Sequence, residues 1–250
     1  MIVSRAPSGI PGLDALIQGG IPTNSTIALR AEASNATEYF LQQFIAAGLK
    51  LGSPGIYCCM TRPPANVIKS MWSQGIDVIE QVVNDQLVFL DCYSLTKEAA
   101  TIGLDSAVQK KVVHVSEVDD EGLLQDGLST AVDRLSNLRG LRAVCENVPA
   151  ALTNRSAPEV VRWGRKAFGE LRAFDTITIH TFPIGVREDM FNVMAQDFDV
   201  LMDLSADRNS ERVHYHLNIQ KMRLTEVPMK IFELETEGAL LTLKSIQKIT

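Results

Sequence analysis

STIALRAEASNATEYFLQQFIAAGL, residues 25–49, is the stretch whose reading decides the fold. Its apolar opening predicts a buried strand at residues 26–30, and the run that follows predicts a helix at about 36–49. Phe40, Leu41, Phe44, Ile45 and Leu49 recur every three or four residues and give that helix one apolar face. Many proteins seat a phosphate where a strand feeds a helix through a tight turn, because the first helical N–H groups are unpaired and the dipole favours an anion. The turn here reads RAEASNATE, residues 30–38, with no glycine and no lysine. A phosphate loop needs glycines so that backbone N–H groups can close on the phosphates, a lysine to neutralise them, and a Ser or Thr to hold magnesium. Neither GxxxxGKS nor GxxxxGKT occurs in the chain. Asn35 and Glu38 instead predict a capping box, with Asn35 as cap and Glu38 at the third helical position. A carboxylate there suits the helix dipole and repels an incoming phosphate. An ordinary capped core helix is the simplest reading of the turn; nucleotide phosphate, or another anionic or polar ligand, is the alternative.

The length of 250 residues suits one large α/β domain, and a hydrophobic fraction of 46% supports a sizeable core. A net charge of -6 supplies no global positive field for nucleic acid or an anionic membrane, so only a local basic groove would draw either. No apolar run reaches about eighteen residues, so no membrane span is expected. The N-terminus, MIVSRAPSGIPG, lacks the basic-then-apolar layout of a secretory signal. Cys58, Cys59, Cys92 and Cys145 fall in or beside expected strands and read as reduced core thiols of a cytoplasmic protein. A disulfide is the alternative for a hyperthermophile source. Cys58 and Cys59 would face opposite sides of an extended chain.

Along the chain, LDALI predicts a short helix stopped by Gly19 and Gly20. After the 26–30 strand and its helix, near-continuous apolar GIYCCM at 55–60 predicts a strand covered on both faces. Helices are expected at 65–74 and 77–83, and a strand at 87–93. Residues 94–111 read as helix plus loop, and 112–118 as a short strand near an edge. Asp119, Asp120 and Glu121 open a helix whose apolar face runs to Leu138. A strand at 141–148, a loop ALTNRSAP, a helix at 159–174 and a strand at 175–183 follow. Then come a strand at 199–206, a turn DRNS, a half-exposed strand in ERVHYHLNIQKM, and a hairpin in MKIFELETEGALLTL turning at Glu237-Gly238. Strands alternate with helices up to about residue 183 and short strands dominate afterwards. The expected fold is therefore a three-layer α/β arrangement with a mainly parallel central sheet and a C-terminal antiparallel hairpin, in a single domain, 1–250.

Three stretches together carry a resemblance. SGIPGLDALIQGGIPTNSTIAL, GLKLGSPGIYCCM and IQKMRLTEVPMKIFELETEGALL are similar, in this order, to the KaiC-like branch of the RecA-type ATPase superfamily, which includes circadian-clock ATPases and many archaeal relatives. The resemblance implies a RecA-like fold, ATP and magnesium as ligands, and ring assembly. The catalytic positions are where this chain departs. The position of the family's phosphate-loop lysine falls on Thr37, and that of its magnesium-holding hydroxyl on Glu38. Thr61 and Arg62 stand where the family has a pair of acids after its second strand, and Glu146 stands, one methylene longer, for its metal-linked acid. The resemblance thus marks Glu32, Ser34, Asn35, Thr37, Glu38, Thr61, Arg62 and Glu146 as a vestigial site. A lone acid without lysine or hydroxyl cannot organise magnesium triphosphate well. Arg62 pairing with Glu38 or Glu146 would fill the vacated place.

Lys221 and Arg223 match a family segment that reaches a nucleotide on a neighbouring subunit, and mark an interface candidate; solvated charge on an edge strand is the plain alternative. His214 and His216 form an HxH pair without a third ligand in the spacing, so surface histidines are expected there and no metal. His180 reads as a core polar group, and Glu188 and Asp189 as a charged loop or as acids near a crevice mouth. The expected function is a non-catalytic, cytoplasmic RecA-like protein that works as a homo-oligomer or through a protein partner, with no cofactor and no membrane. A weak or atypical ATP-binding protein with magnesium is one alternative. A DNA-associated recombinase-like accessory protein is another, disfavoured by the acidic charge.

Overall fold

The computed structural model describes residues 3–118, 120–148, 156–167, 169, 171, 175–186, 188–207, 213–227 and 231–244. The chain opens with an antiparallel ribbon, β1 (Arg5–Ala6) and β2 (Ile21–Pro22), around a short helix, α1 (Leu13–Leu16). Strands and helices then alternate: β3 (Ser25–Ala31), α2 (Asn35–Lys50), β4 (Gly55–Cys59), α3 (Pro64–Ser73), α4 (Ile79–Val83), β5 (Leu87–Asp91), α5 (Lys97–Thr101), α6 (Ser106–Gln109) and β6 (Val113–His114). They continue with α7 (Glu121–Arg134), β7 (Arg142–Cys145), α8 (Ala157–Ala167), β8 (Ile177–Pro183) and α9 (Glu188–Ala195). β9 (Val200–Asp207), β10 (His214–Met222), β11 (Ile231–Glu237) and β12 (Leu240–Leu243) follow. Among the described residues the main sheet has the order β12-β11-β10-β9-β3-β8-β7-β4-β5-β6. Every pairing from β9 to β6 is parallel, and every pairing from β9 out to β12 is antiparallel. Parallel neighbours need crossover helices and antiparallel neighbours need only turns, so the sheet changes character where the helices stop.

Side chains alternate across the strands and divide the core in two. Ile27 and Leu29 of β3, Tyr57 and Cys59 of β4, and Leu87 and Phe89 of β5 pack on one face with Phe40, Phe44 and Val67 of α2 and α3. Ala28, Ile56, Cys58, Val88 and Leu90 pack on the other face with Leu124 and Leu128 of α7, Trp163 of α8 and Phe191 of α9. This is the expected three-layer arrangement. Cys58 and Cys59 do face opposite sides, and all four cysteines are buried free thiols.

The N-terminal segment and the closing hairpin meet on α2. Gln43 Nε2 donates to the carbonyls of Gly9 (3.1 Å) and Leu241 (2.9 Å), and its Oε1 accepts from Leu241 N (2.6 Å). Gly9 has φ +86°, and a Cβ there would lie 2.4 Å from the Gln43 carbonyl oxygen, so only glycine lets the segment lie this close to the helix.

Several boundaries differ from expectation. The ribbon β1–β2 and helix α9 were not expected; Glu188 and Asp189 stand in the first turn of α9, not in a charged loop. Helix α7 stops at Arg134 instead of reaching Leu138, because Leu135 turns extended and Ser136 N is drawn to the Asp85 carbonyl (2.9 Å). Its N-cap is Asp120, whose side chain accepts from Gly122 N and Leu123 N; Asp119 lies outside the described residues. The edge strand expected at 112–118 shrinks to Val113–His114, although it does end the sheet. Most of the ALTNRSAP loop, the DRNS turn beyond Asp207, and residues 168, 170 and 172–174 of the expected 159–174 helix lie outside the described residues. Helix α8 itself runs Ala157–Ala167.

Candidate functional site

The C-terminal ends of β3, β4, β7 and β8 enclose a cleft of about 410 Å³. Strand ends of this kind, with a helix N-terminus beside them, are where open α/β sheets offer a concavity. Glu32, Ser34, Asn35, Thr37 and Glu38 reach it from the β3–α2 turn. Thr61 and Arg62 reach it from the segment after β4, and Glu146 from the segment after β7. Asn147, Thr181, Phe182 and Pro183 complete the wall near β8.

The turn is tied to itself. Thr37 Oγ1 donates to the Glu32 carbonyl (2.9 Å) and lies 3.4 Å from Ser34 Oγ. The capping box is absent: α2 starts at Asn35, its N-cap is Ser34, and no side chain caps it. The Glu38 carboxylate, a turn inside the helix, is held by other partners. Its Oε1 accepts from Gln42 Nε2 (2.9 Å) and its Oε2 meets Arg62 Nη1 at 2.8 Å. Arg62 Nη2 lies 3.9 Å from Glu146 Oε1. Glu146 is nearly buried, and both of its oxygens are hydrogen-bonded: Tyr57 OH donates to Oε1 (2.8 Å) and Thr61 Oγ1 to Oε2 (2.7 Å).

Among the described residues that line the cleft, the charged side chains are Glu32, Glu38, Glu146 and Arg62. Burial works against the Arg62 charge, but the Glu38 hydrogen bond and the Glu146 and Glu38 charges outweigh it and hold the guanidinium above its ordinary range. Burial, reinforced by the Glu146 charge, pushes the Tyr57 phenol well up, so it stays a hydrogen-bond donor to Glu146. Cys59 is likewise pushed up by burial and by Glu146, and is an unreactive thiol.

The other candidates lie elsewhere. β10 lies between β9 and β11, but β11 pairs only with its residues 215–218, so Lys221, beyond a register shift after Ile219, is paired with β9 alone, and Arg223 follows the end of the strand at Met222. Lys221 Nζ donates to the Phe198 carbonyl (2.6 Å), and Arg223 Nη1 meets Asp199 Oδ1 (2.9 Å). Both stand where β9 begins, at the opposite end of the sheet from the cleft. His214 and His216 are half-buried on the face of β10 opposite Tyr215 and Leu217. Among the described residues no group of three or more His, Cys, Asp or Glu could hold a metal ion. His180 is buried in β8 with its ring edge against Phe198. Tyr57, Asn147 and Thr181 belong to the cleft or its support but carry no signal in the sequence, since a tyrosine inside GIYCCM reads as core. Among the described residues no helix is long and apolar enough to cross a membrane.

A family model described as "ATPase: KaiC" matches residues 6–245. The UPF0273 protein MJ1359 of Methanocaldococcus jannaschii is 24% identical over 99% of this chain and 100% of its own length. The UPF0273 protein PF1931 of Pyrococcus furiosus is 26% identical over 62% of this chain, which spans only 59% of that protein. The solved KaiC-like protein PH0186 of Pyrococcus horikoshii superposes with a TM-score of 0.76 at 20% identity, covering 98% of this chain and 100% of that one, and has the same RecA-like fold. With nearly its whole length matched, the chain belongs to the KaiC family.

Proposed function

We propose that this protein is a non-catalytic, cytoplasmic member of its family that works by associating with a second copy or with another protein. The observation that carries this reading is the Glu38–Arg62 ion pair at 2.8 Å, lying across the mouth of the turn that a triphosphate would need. Magnesium triphosphate does not fit the residues present. The lysine position holds Thr37, whose hydroxyl is turned back to the Glu32 carbonyl. The next position holds a carboxylate, and Glu146 is saturated by Tyr57 and Thr61. A nucleotide would meet the Glu38 and Glu146 carboxylates, and among the described lining residues the one cation, Arg62, is already paired with Glu38. A fold can keep its outer surfaces after its chemistry is lost, and the position of Lys221 and Arg223 at the far end of the sheet from the cleft supports reading them as groups that meet a neighbouring copy.

A second reading has one observation in its favour: the cleft stays open at about 410 Å³, room enough for a ligand. In that reading ATP binds weakly, helped by Arg223 or Lys221 of another subunit. Calorimetric titration with magnesium-ATP and with magnesium-free nucleotide, alongside oligomeric mass by light scattering, separates the two. The expected result is a defined oligomer or captured partner without submillimolar nucleotide binding. Submillimolar ATP binding abolished by Arg223→Ala, or turnover abolished by Glu146→Gln, overturns the proposal.

A further inference from the structure

Three sulfur-bearing side chains meet near the C-terminal ends of the central strands. Cys58 of β4 and Cys145 of β7 are register partners on adjacent parallel strands, and both face the layer of α7, α8 and α9. Met60, just beyond β4, packs in the same core. Cys145 Sγ lies 3.8 Å from Met60 Sδ. Burial, and next a hydrogen bond with Cys58, push the Cys145 thiol well up. All three residues are buried, Met60 the least at 6% exposed. The cleft does not use them: Tyr57, which donates to Glu146, faces the other side of the sheet with Cys59. Sulfur ligands sit about 2.3 Å from a bound metal, so two of them on one ion stand about 4 Å apart. The Cys145–Met60 separation already has that value. Neighbouring strands lie about 4.8 Å apart, which brings Cys58 into the same reach.

We propose that Cys58, Cys145 and Met60 form a seat for one soft monovalent metal ion, copper(I), held by two thiolates and a thioether. Among the described residues His, Cys, Asp and Glu gather nowhere in a metal-holding group of three, which leaves zinc short of its usual four ligands. Two thiolates with a thioether are instead the donor set that selects copper(I). On binding, each thiol releases its proton to solvent and a sulfur–copper bond forms in its place. The ion stays copper(I), so nothing is oxidised or reduced. Burial favours the protonated thiols, so an ion must bind sulfur strongly to displace those protons. The seat is independent of whether the cleft takes a nucleotide.

The test titrates copper(I) anaerobically into the reduced full chain against the coloured chelator bicinchoninate, and reads the ligands of the bound ion by X-ray absorption. One ion per chain is expected, in a shell of sulfur alone. Cys58→Ser and Cys145→Ser are each expected to weaken binding at least about tenfold, since losing a group that merely orients a ligand already costs about 10–100-fold. Met60→Leu removes the weakest donor and is expected to weaken it less. Cys59→Ser, on the opposite face of the sheet, is expected to leave it unchanged. A shell containing nitrogen would put the ion on histidines such as His214 and His216 and overturn the proposal. Binding that Cys145→Ser leaves unchanged overturns it too, and makes the sulfur contact plain packing. Where the serine variants fail to fold, the shell of the parent decides: two or three sulfurs support the seat, and one or none overturns it.

Discussion

Helix α2 has an arginine near each end, and the two are held in opposite ways. At its start Arg62, part exposed, lies against Glu38 in an open cleft. Towards its other end Arg142 of β7 is 2% exposed, donates to the Phe44 carbonyl (2.7 Å), and lies with its guanidinium 4.7 Å from the Phe44 ring centre. Among the described residues no carboxylate comes within ion-pair distance of Arg142, and burial lowers its pKa to about 10, with Asp14 pulling the other way. A buried guanidinium without a salt bridge is tolerated because a helix carbonyl, an aromatic face and close packing replace water. Gly48 makes room for it: a Cβ there would lie 2.5 Å from Arg142 Cδ. The contrast separates two uses of one side chain. Arg142 fills and fixes the fold, whereas Arg62 contributes charge at a place the fold leaves open.

If that division is right, the largest loss of stability comes at the buried end. Arg142→Ala is expected to cost about 3 kcal/mol in chemical denaturation, through lost packing and the cavity left behind. Arg142→Met, of similar volume and uncharged, is expected to stay within about 1 kcal/mol of the parent. A folded pKa of about 10, below the unfolded value, means that the unfolded chain holds this proton more tightly. The cost of burying the charge is therefore constant at lower pH and is relieved only as pH rises above about 10, so the parent–Met difference is expected to be flat between about pH 6 and pH 9. Gly48→Ala is expected to cost about 2 kcal/mol by overpacking against Arg142. In the double variant with Arg142→Ala the new methyl occupies vacated space, so the double variant is expected to lose less than the sum of the two single losses.

The legibility of the sequence follows the same division. Gly9 admits the N-terminal segment to α2, Asp14 Oδ1 accepts from Ser8 N at 2.8 Å, and Met222 of the Lys-Met-Arg segment is buried. The family resemblance rested on residues such as these, which carry local structural duties, and the strand pattern rested on alternation along one chain; both could be read directly. The cleft was legible only as a set of positions. Three-residue spacing pointed to an Asn35 cap, but Thr37 turns back to Glu32 and Glu38 reaches Arg62, so the cap passes to Ser34 with no side-chain bond. Competition among side chains from separate elements decides that outcome. The phenol of Tyr57 was hidden inside an apolar strand, and its task, donating to Glu146, depends on two strands lying side by side.

At the open end the expected effects shrink. Tyr57→Phe removes a donor from the nearly buried Glu146 carboxylate and is expected to cost about 1.5 kcal/mol, read as a lower denaturation midpoint with an unchanged slope. A cost no larger than that of Arg62→Ala would mean that Glu146 is solvated through the cleft instead of held by the strands.

Arg62→Ala is the smallest and the most discriminating change. Arg62 is 31% exposed and Glu38 keeps Gln42 as a second partner, so solvent screens the pair and the loss is expected to stay below about 1 kcal/mol. Raising salt should weaken the parent and not the variant, because only the parent has the pair to screen. A loss as large as that of Arg142→Ala, insensitive to salt, would show that Arg62 is as structural as its counterpart. The cleft would then be a filled joint in the fold, and the distinction between the two ends of α2 would collapse.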